Sequence, residues 1–250
     1  MSEPTAGQGA TTALARDPSL AIQVAWACRI LASQGYEDLT LGHVSVLSDE
    51  GAMYIKRKGV ALSEVKPEDV LVFPVEADLA DAPIDMHLEA VLHTEVYKRR
   101  PDVRCVIHGH PLYATAFGAT DAKLETLTHD AVLFTDRIAT YEGVPDLITG
   151  DEQGKEVAQA LADGTVVLLR NHGVLVAERD APWAVLTAVL LEKAAQLQSV
   201  ASTFGALRPI PDDLVESIHG RKYQSGFPDE YWDAWIRALR RGGLDHGMPA

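Results

Sequence analysis

Residues 87–115 read HLEAVLHTEVYKRRPDVRCVIHGHPLYAT, and this stretch organises the rest of the chain. It predicts a helix, a turn at Pro101-Asp102, a buried strand, and then two histidines, His108 and His110, one residue apart. Side chains alternate between the two faces of a strand, so these two imidazoles are expected to point the same way. Two imidazoles on one face at a strand end can both reach a single divalent metal ion.

A third histidine, His172, lies far along the chain, in the polar sequence Arg170-Asn171-His172-Gly173 between two apolar runs. A polar break between buried strands costs free energy unless something satisfies it, and a metal ion would do so. Three histidines with open coordination positions are typical of a catalytic metal site. The residues alone leave two interpretations open: a metal site, or polar strand ends in contact with water.

Length and charge limit the classes of protein to which the chain can belong. It has 250 residues, 47% of them hydrophobic, and a formal net charge of -14. No linker rich in proline, glycine or serine divides it, so we predict a single domain over 17–250. We expect residues 1–16 to form a disordered tail and residues 205–250 to form a helical extension of the domain. The acidic charge argues against binding to a nucleic-acid backbone.

The cysteines and the hydropathy pattern bear on the compartment. Cys28 and Cys105 lie in apolar periodic segments and are expected to be buried thiols rather than a disulfide. No apolar run is long enough to span a bilayer, and the first 16 residues lack the apolar core of a signal peptide. We therefore expect a cytoplasmic protein with no membrane partner.

Segments with helical and with strand periodicity are mixed along the chain, which predicts a layered α/β architecture. The pattern does not give the order of the strands. The helix expected over 86–99 places Glu89, His93 and Tyr97 at four-residue spacing on one face. The helix expected over 228–240 carries an aromatic cluster that packs on its own protomer or docks on a neighbouring subunit.

From about residue 18 to 205, the chain resembles the class II aldolase/adducin-like family. Three segments carry the resemblance, in this order and spacing: Gly42-His43-Val44-Ser45, Arg100–Val103 followed by His108-Gly109-His110, and Arg170–Gly173. The resemblance implies a three-layer α/β/α sandwich with a central mainly antiparallel or mixed sheet. It also implies a homotetramer with sites at the subunit interfaces.

The resemblance also implies the roles of four site residues. His108, His110 and His172 would bind one divalent metal ion in each subunit. Glu89 falls where the family has an acidic residue close to the metal, as a ligand or as the acid/base. Three imidazoles and a carboxylate suit Zn2+, Mn2+, Fe2+ or Co2+, and the ligand types alone do not choose among these ions.

Three departures from the family's sugar-phosphate aldolases bear on the substrate. His43 replaces the Asn of Gly-Asn, the run Lys56-Arg57-Lys58-Gly59 replaces Thr-x-Ser-Gly, and His87-Leu88 replaces a Ser-Ser pair. Basic groups in place of hydroxyl groups suit a carboxylate or phenolate better than a phosphate nest. This pattern is more similar to the family's decarboxylases of hydroxylated aromatic or pyridine dicarboxylates. A solvated surface turn is the alternative interpretation of the basic run.

We therefore predict a carbon-carbon lyase of the carboxy-lyase type in aromatic compound catabolism. It would carry out metal-dependent, non-oxidative decarboxylation of a hydroxylated aromatic dicarboxylate such as 3,4-dihydroxyphthalate. The metal would act as a Lewis acid. Lys56 or Arg57 would hold a second carboxylate, with His43 and Ser45 as further substrate-binding residues and Tyr113 in the pocket wall.

Glu89 or His129 would deliver the proton to carbon or manage the hydroxyl proton. For His129, a hydrogen-bonded turn histidine is the alternative interpretation. Two other functions stay open: an aldehyde-lyase or epimerase acting on a sugar phosphate, and a non-enzymatic assembly module. The family's adducin heads lack the metal histidines, which this chain keeps.

Overall fold

The computed structural model describes residues 16–249. The predicted tail lies outside the described residues except for Arg16, whose guanidinium donates to the carbonyls of Pro67 and Val70. Between residues 16 and 249, no helix combines the length and the apolar character that crossing a bilayer requires.

The centre of the fold is one seven-stranded sheet in the order β3-β2-β1-β4-β7-β6-β5. Neighbouring strands are antiparallel except for β5 and β6, which run parallel, so the sheet is mixed, as predicted. The strands are β1 His43–Leu47, β2 Ala52–Lys56, β3 Val70–Pro74, β4 Cys105–Gly109, β5 Ile138–Tyr141, β6 Val166–Leu169 and β7 Gly173–Glu178.

Seven α-helices accompany the sheet in residues 16–249. They are α1 Pro18–Leu31, α2 Val91–Arg99, α3 Leu112–Gly118, α4 Asp151–Leu161, α5 Ala181–Phe204, α6 Asp212–Lys222 and α7 Phe227–Arg241. Asp17 caps α1 by accepting a hydrogen bond from the Ser19 amide, and Pro18 occupies the first helical position.

Alternation along the buried strands gives the fold two hydrophobic cores, one on each face of the sheet. In β4, Cys105 and Ile107 belong to the core shared with α1 and α5, whereas Val106 belongs to the core shared with α2 and α4. Helices therefore cover both faces, and the predicted α/β/α sandwich is confirmed. Cys28 and Cys105 are both buried free thiols, as expected.

The C-terminal extension is helical, and α7 packs on α1 and α5. Trp232 and Trp235 are partly buried against the first core, and the Arg240 guanidinium lies 5.6 Å from the ring of Trp26. Tyr231 stays 37% exposed. The two tryptophans thus pack on their own protomer, which was the first of the two expectations for this helix.

Candidate active site

The end of β4 presents two histidines to the same side. His108 is a strand residue and His110 follows the strand directly. Their ring centroids are 4.9 Å apart. The two-residue period of the strand brings both rings to one face, as predicted from the sequence.

The turn between β6 and β7 brings the third imidazole to the same place. Asn171 has φ +55°, a conformation that asparagine tolerates better than most residues. The ring of His172 lies 5.0 Å from that of His108 and 5.4 Å from that of His110. A Cβ on Gly173 would lie 2.6 Å both from the carbonyl oxygen of Gly109 and from Cδ2 of His110. Glycine at 173 therefore allows the turn to close against the end of β4.

Glu89 joins the three imidazoles from a break in the backbone just before α2. Its φ of −92° and ψ of 21° are not helical. Its Oε1 accepts a hydrogen bond of 2.9 Å from the amide of Ile148. Glu89 Oε2 lies 3.6 Å from Nε2 of His108, and Oε1 lies 3.5 Å from Nε2 of His172. Two ligands of one tetrahedral ion, each about 2.1 Å from it, lie about 3.4 Å apart, so these separations suit ligands of a shared ion.

The hydrogen bonds of the imidazoles leave acceptor nitrogens facing one another. Nδ1 of His108 donates to the carbonyl of Val174 at 3.0 Å, so Nε2 of the neutral ring carries a lone pair. That Nε2 is buried and has no hydrogen-bond partner in the described part of the chain. Nδ1 of His110 lies 2.9 Å from the carboxylate of Asp38, which orients this ring in the same way. A buried acceptor without a partner is unfavourable, and a divalent cation would satisfy it.

Burial also disfavours the charged form of His108 and His172, and metal ligation requires the neutral ring. It lowers the pKa of His108 well below its usual range, and His110 and His172 add to the effect. It lowers the pKa of His172 too, against the opposing charge of Glu89. His108, His110 and His172 form one set of potential ligands with atoms within 4.8 Å of one another, and His43, Glu89 and His108 form another. The residues present therefore fit a divalent metal ion.

A cavity of about 200 Å³ opens beside this cluster. Its polar wall includes His43, His87 and Lys58 in addition to Glu89, His108 and His110. Burial, together with the charge of Lys56, lowers the pKa of His87 to about 3. The rim is apolar and consists of Leu41, Leu88 and Leu147, which are 52%, 66% and 51% exposed.

The basic run Lys56-Arg57-Lys58 divides between two sides of the chain. Lys56 is fully buried, and its Nζ donates to the carbonyl of Thr40 at 3.0 Å and lies 3.4 Å from Nε2 of His87. Lys58, two residues further, lines the cavity. Arg57 points elsewhere: its Nε donates to Asp69 at 3.0 Å, and it lines a different cavity. The structure thus brings Lys56 and Lys58, and not Arg57, to the histidine cluster of one chain.

Three other predicted site residues do not line this cavity. Ser45 is fully buried behind His43. The amide of Tyr113 donates to Glu192 on α5, and the carbonyl of His129 accepts a hydrogen bond from the hydroxyl of Tyr223. Direct contact between these residues, or Arg57, and a substrate stays a prediction.

His43 reaches the cavity because β1 pairs with β4. It stands directly opposite His108 in the strand register, and the two ring centroids are 4.9 Å apart. Nδ1 of His43 lies 2.6 Å from Nε2 of His93, and Nδ1 of His93 lies 2.6 Å from Oγ of Ser45. Burial lowers the pKa of His43 well below its usual range.

His87, Lys58 and His93 were not among the predicted site residues, although the sequence carries signals for each. In the family resemblance, His87 stands where the sugar-phosphate aldolases have a hydroxyl residue. Lys58 follows Lys56 by two residues, the spacing that puts two side chains on one side of an extended chain. His93 follows Glu89 by one helical turn.

Comparisons with known proteins identify relatives of this chain. Residues 22–199 match the family described as Class II Aldolase and Adducin N-terminal domain. The chain is 30% identical to 3,4-dihydroxyphthalate decarboxylase from Arthrobacter keyseri over 208 residues, 77% of this chain and 84% of that protein. It is 28% identical to an L-fuculose phosphate aldolase from Methanococcus maripaludis over 178 residues, 71% of this chain and 94% of that protein.

The fold is also similar to solved structures. One is an aldolase II superfamily protein from Pseudomonas syringae, with a TM-score of 0.80, 22% identity, and coverage of 94% of this chain and 98% of that one. Another is L-fuculose 1-phosphate aldolase from Glaciozyma antarctica, with a TM-score of 0.77, 21% identity, and coverage of 96% of both chains. At these identities the structural likeness supports the shared fold.

Proposed function

Because the chain belongs to the class II aldolase and adducin family, we propose that it is a divalent-metal-dependent carboxy-lyase. Its substrate would be a hydroxylated aromatic dicarboxylate such as 3,4-dihydroxyphthalate. One observation carries the proposal: basic and imidazole side chains, Lys58, His43 and His87, line the same cavity as the unpaired nitrogen of His108. The ammonium of Lys58 and an N–H of His43 can bind carboxylate and phenolate oxygens by charge-assisted hydrogen bonds.

The metal ligands in this proposal are His108, His110, His172 and Glu89. A divalent ion bound there would supply Lewis-acid stabilisation of negative charge on substrate oxygens. The chain itself holds the ligands ready: Val174 and Asp38 fix two of the rings, and the amide of Ile148 fixes the carboxylate. The donor set does not choose among zinc, manganese, iron and cobalt.

The remaining polar residues would bind and orient the substrate. The bond between the ring carbon and its carboxylate breaks, carbon dioxide leaves, and the electron pair stays on the ring until a proton reaches that carbon. The ammonium of Lys58 would hold a second carboxylate at the edge of the cavity, and the buried ammonium of Lys56 would add positive charge behind His87. Glu89 lines the cavity and is one candidate for proton transfer, and His129 is the other.

The rim of the cavity supports the proposal of a homotetramer with sites at subunit interfaces. Three leucines, Leu41, Leu88 and Leu147, stand more than half exposed around one opening. A cluster of exposed apolar side chains around a polar site is typical of a surface that another chain covers. A neighbouring subunit would also exclude water from the reaction.

Free buried cysteines suit a reducing compartment. We therefore propose that the enzyme acts in the cytoplasm, in aromatic compound catabolism.

A second candidate is an aldehyde-lyase or epimerase acting on a sugar phosphate. The similarity to L-fuculose phosphate aldolases, at 28% identity over most of their length, favours it. Retro-aldol cleavage also leaves negative charge on a substrate oxygen, so the same metal centre would serve. The basic wall around Lys58 distinguishes the candidates, because the related aldolases hold phosphate with hydroxyl and glycine groups instead.

Activity on two panels of substrates tests the proposal. Protein loaded in turn with each of the four metals is given hydroxylated phthalates and, separately, ketose 1-phosphates. We expect carbon dioxide release from at least one phthalate and no aldehyde release from the sugar phosphates. Aldehyde release alone would establish the second candidate, and inactivity of the loaded protein on all hydroxyaromatic diacids would reject the decarboxylase.

A further inference from the structure

A buried chain of hydrogen bonds runs from the core to the wall of the cavity. The hydroxyl of Tyr97 lies 2.7 Å from Oγ of Ser45, and Oγ lies 2.6 Å from Nδ1 of His93. Nε2 of His93 lies 2.6 Å from Nδ1 of His43. All four side chains are buried, and only His43 lines the cavity. The direction in which the hydrogens point along this chain decides what His43 offers to a ligand.

Tyr97 sets that direction. Burial raises the pKa of Tyr97 well above its usual range, so the phenol keeps its hydrogen. Among residues 16–249, Ser45 is the one side chain that bonds to this hydroxyl. The phenol must therefore donate to Ser45, or leave a buried hydroxyl hydrogen without an acceptor, which is unfavourable.

The directions of the remaining hydrogen bonds follow from that of Ser45. With Oγ accepting from Tyr97, the hydrogen of Ser45 goes to Nδ1 of His93. Burial lowers the pKa of His93 to about 3, so its ring is neutral and carries one hydrogen, on Nε2. That hydrogen is donated to Nδ1 of His43. The remaining nitrogen of His43, Nε2, then carries the hydrogen of its own neutral ring.

We propose that Tyr97, Ser45 and His93 hold His43 as the Nε2–H tautomer, which makes His43 a hydrogen-bond donor to an anionic oxygen of the substrate and not a metal ligand. A ring nitrogen that carries a hydrogen has no lone pair for a cation. The set formed by His43, Glu89 and His108 is therefore not the metal site, although its atoms are close enough. The identity of the anion rests on the proposed function, whereas the tautomer does not.

The hydrogen-bond direction gives these residues separate roles. His43 would touch the substrate, and Ser45, His93 and Tyr97 would act through it as positioning residues. A donor held in place before the substrate arrives stabilises developing negative charge without reorganising, which favours catalysis. The geometry thus accounts for the burial of Ser45, which was predicted to bind substrate directly.

Nitrogen NMR of the full chain, labelled with 15N-histidine, tests the tautomer directly. His43 is assigned by comparison with the His43→Gln variant, in the metal-free and the zinc-loaded protein. We expect the shift of a protonated nitrogen at Nε2 and of an unprotonated nitrogen at Nδ1. A hydrogen on Nδ1, or loss of the Nε2 hydrogen when zinc binds, would overturn the proposal.

Zinc and phthalate binding test whether His43 binds the anion rather than the metal ion. Calorimetry should show that His43→Ala binds zinc within about twofold of the unchanged protein, whereas phthalate binding falls by on the order of 10-fold, the effect of one hydrogen bond to a charged group. His43→Gln should restore part of that loss, because an amide also donates. His108→Ala is the comparison that loses zinc. Loss of zinc in His43→Ala to the same extent would overturn the proposal.

The positioning residues have their own variants. Ser45→Ala should weaken phthalate binding and leave zinc binding unchanged, and in the NMR spectrum it should release His43 into a mixture of tautomers. Thr165→Val is the matched control, because it removes a buried hydroxyl that has no partner in residues 16–249. An unchanged His43 spectrum in Ser45→Ala would contradict the proposal that the hydrogen bonds from Tyr97 through Ser45 and His93 fix the tautomer of His43. If phthalate fails to bind the unchanged protein, the proposed function fails, and the NMR and zinc measurements still decide this inference.

Discussion

His108 is the residue on which the proposed metal centre depends. It stands at the end of a central strand, its Nδ1 is committed to Val174, and its Nε2 faces Glu89 without a hydrogen bond in the described chain. His110 is oriented in the same way by Asp38. Partners of this kind fix the tautomer and direction of metal-binding imidazoles, and losing one commonly weakens metal binding 10- to 100-fold.

Lys58 and Arg57 provide a matched test of the substrate pocket. Lys58→Gln should raise the KM for the dicarboxylate by roughly 10-fold or more, because it removes a charge-assisted hydrogen bond. Arg57→Gln should change KM little, since Arg57 pairs with Asp69 on the other side of the chain. Steady-state kinetics of both variants decides the matter. An equal rise in KM for Arg57→Gln would show that Arg57 reaches a site in the assembled protein.

The buried histidines make stability depend on pH, and His93 isolates the effect. Its pKa of about 3 in the fold lies below the reference value of 6.5. Between pH 3 and pH 6.5, His93 binds a proton in the unfolded chain but not in the folded chain. Protonation of His93 therefore does not reduce the stability of the fold above pH 6.5, and it reduces that stability progressively as the pH falls towards 3.

The prediction concerns the slope of unfolding free energy against pH. In metal-free protein between pH 4 and 6, His93→Gln should reduce the slope by about one proton, or about 1.4 kcal/mol per pH unit. Urea denaturation at several pH values measures it. A slope identical to that of the unchanged protein would mean that His93 titrates in the fold as it does in water.

At the scale of elements, the β6–β7 turn is the part that completes the cluster. Gly173→Ala would place a Cβ 2.6 Å from the carbonyl of Gly109 and from the ring of His110, so backbone or ligand must shift. We expect a loss of about 1–3 kcal/mol of stability, the usual cost of overpacking, together with weaker zinc binding.

Gly220→Ala is the control for that variant. Gly220 lies in α6, and a Cβ there would meet nothing within 4 Å. Alanine should be neutral or slightly stabilising in this helix. Denaturation midpoints and zinc titrations of both variants provide the comparison. If Gly173→Ala keeps the stability and the zinc affinity of the unchanged protein, the close approach of the turn to β4 is not required.

Helix α2 shows where local pattern stops predicting the site. Four-residue spacing put Glu89, His93 and Tyr97 on one helical face. The helix instead begins at Val91, and the non-helical backbone of Glu89 directs its carboxylate to the histidine cluster. His93 and Tyr97 turn to Ser45 on β1, a contact that arises from long-range pairing and that no local spacing reveals.

The strands also show that local features are predictable from the sequence and long-range ones are not. The alternation in β4 predicted correctly that His108 and His110 share a face, because that rule is local. The order of strands in the sheet depends on contacts between distant segments, so the pattern left it open. The same limit applies to the basic run: alternation separates Arg57 from its neighbours, but only the packing of β2 shows which side meets the cavity.

For the whole molecule, the three clustered histidines come from two distant segments that the sheet brings together. The family resemblance predicted this convergence and the layered sandwich correctly. It also implies a tetramer, and we propose that the exposed leucine rim around the cavity lies at one of its interfaces. How the subunits meet depends on surfaces of several chains, which the fold of one chain does not determine.

The oligomer is testable through the rim. Light scattering on the unchanged protein should give four times the chain mass of 27.1 kDa. Leu88→Asp should shift the population to smaller species, because a charge would be buried against the neighbouring subunit. A monomer for the unchanged protein at micromolar concentration would contradict the interface.

The most direct test of the central claim is the metal content of the purified protein. The claim is that His108, His110, His172 and Glu89 converge on one divalent ion. Elemental analysis after loading and dialysis should give one ion per chain for the unchanged protein and less than about a tenth of that for His108→Ala, since a site with three remaining ligands binds far more weakly. Absence of stoichiometric metal, or equal retention in His108→Ala, would contradict the account.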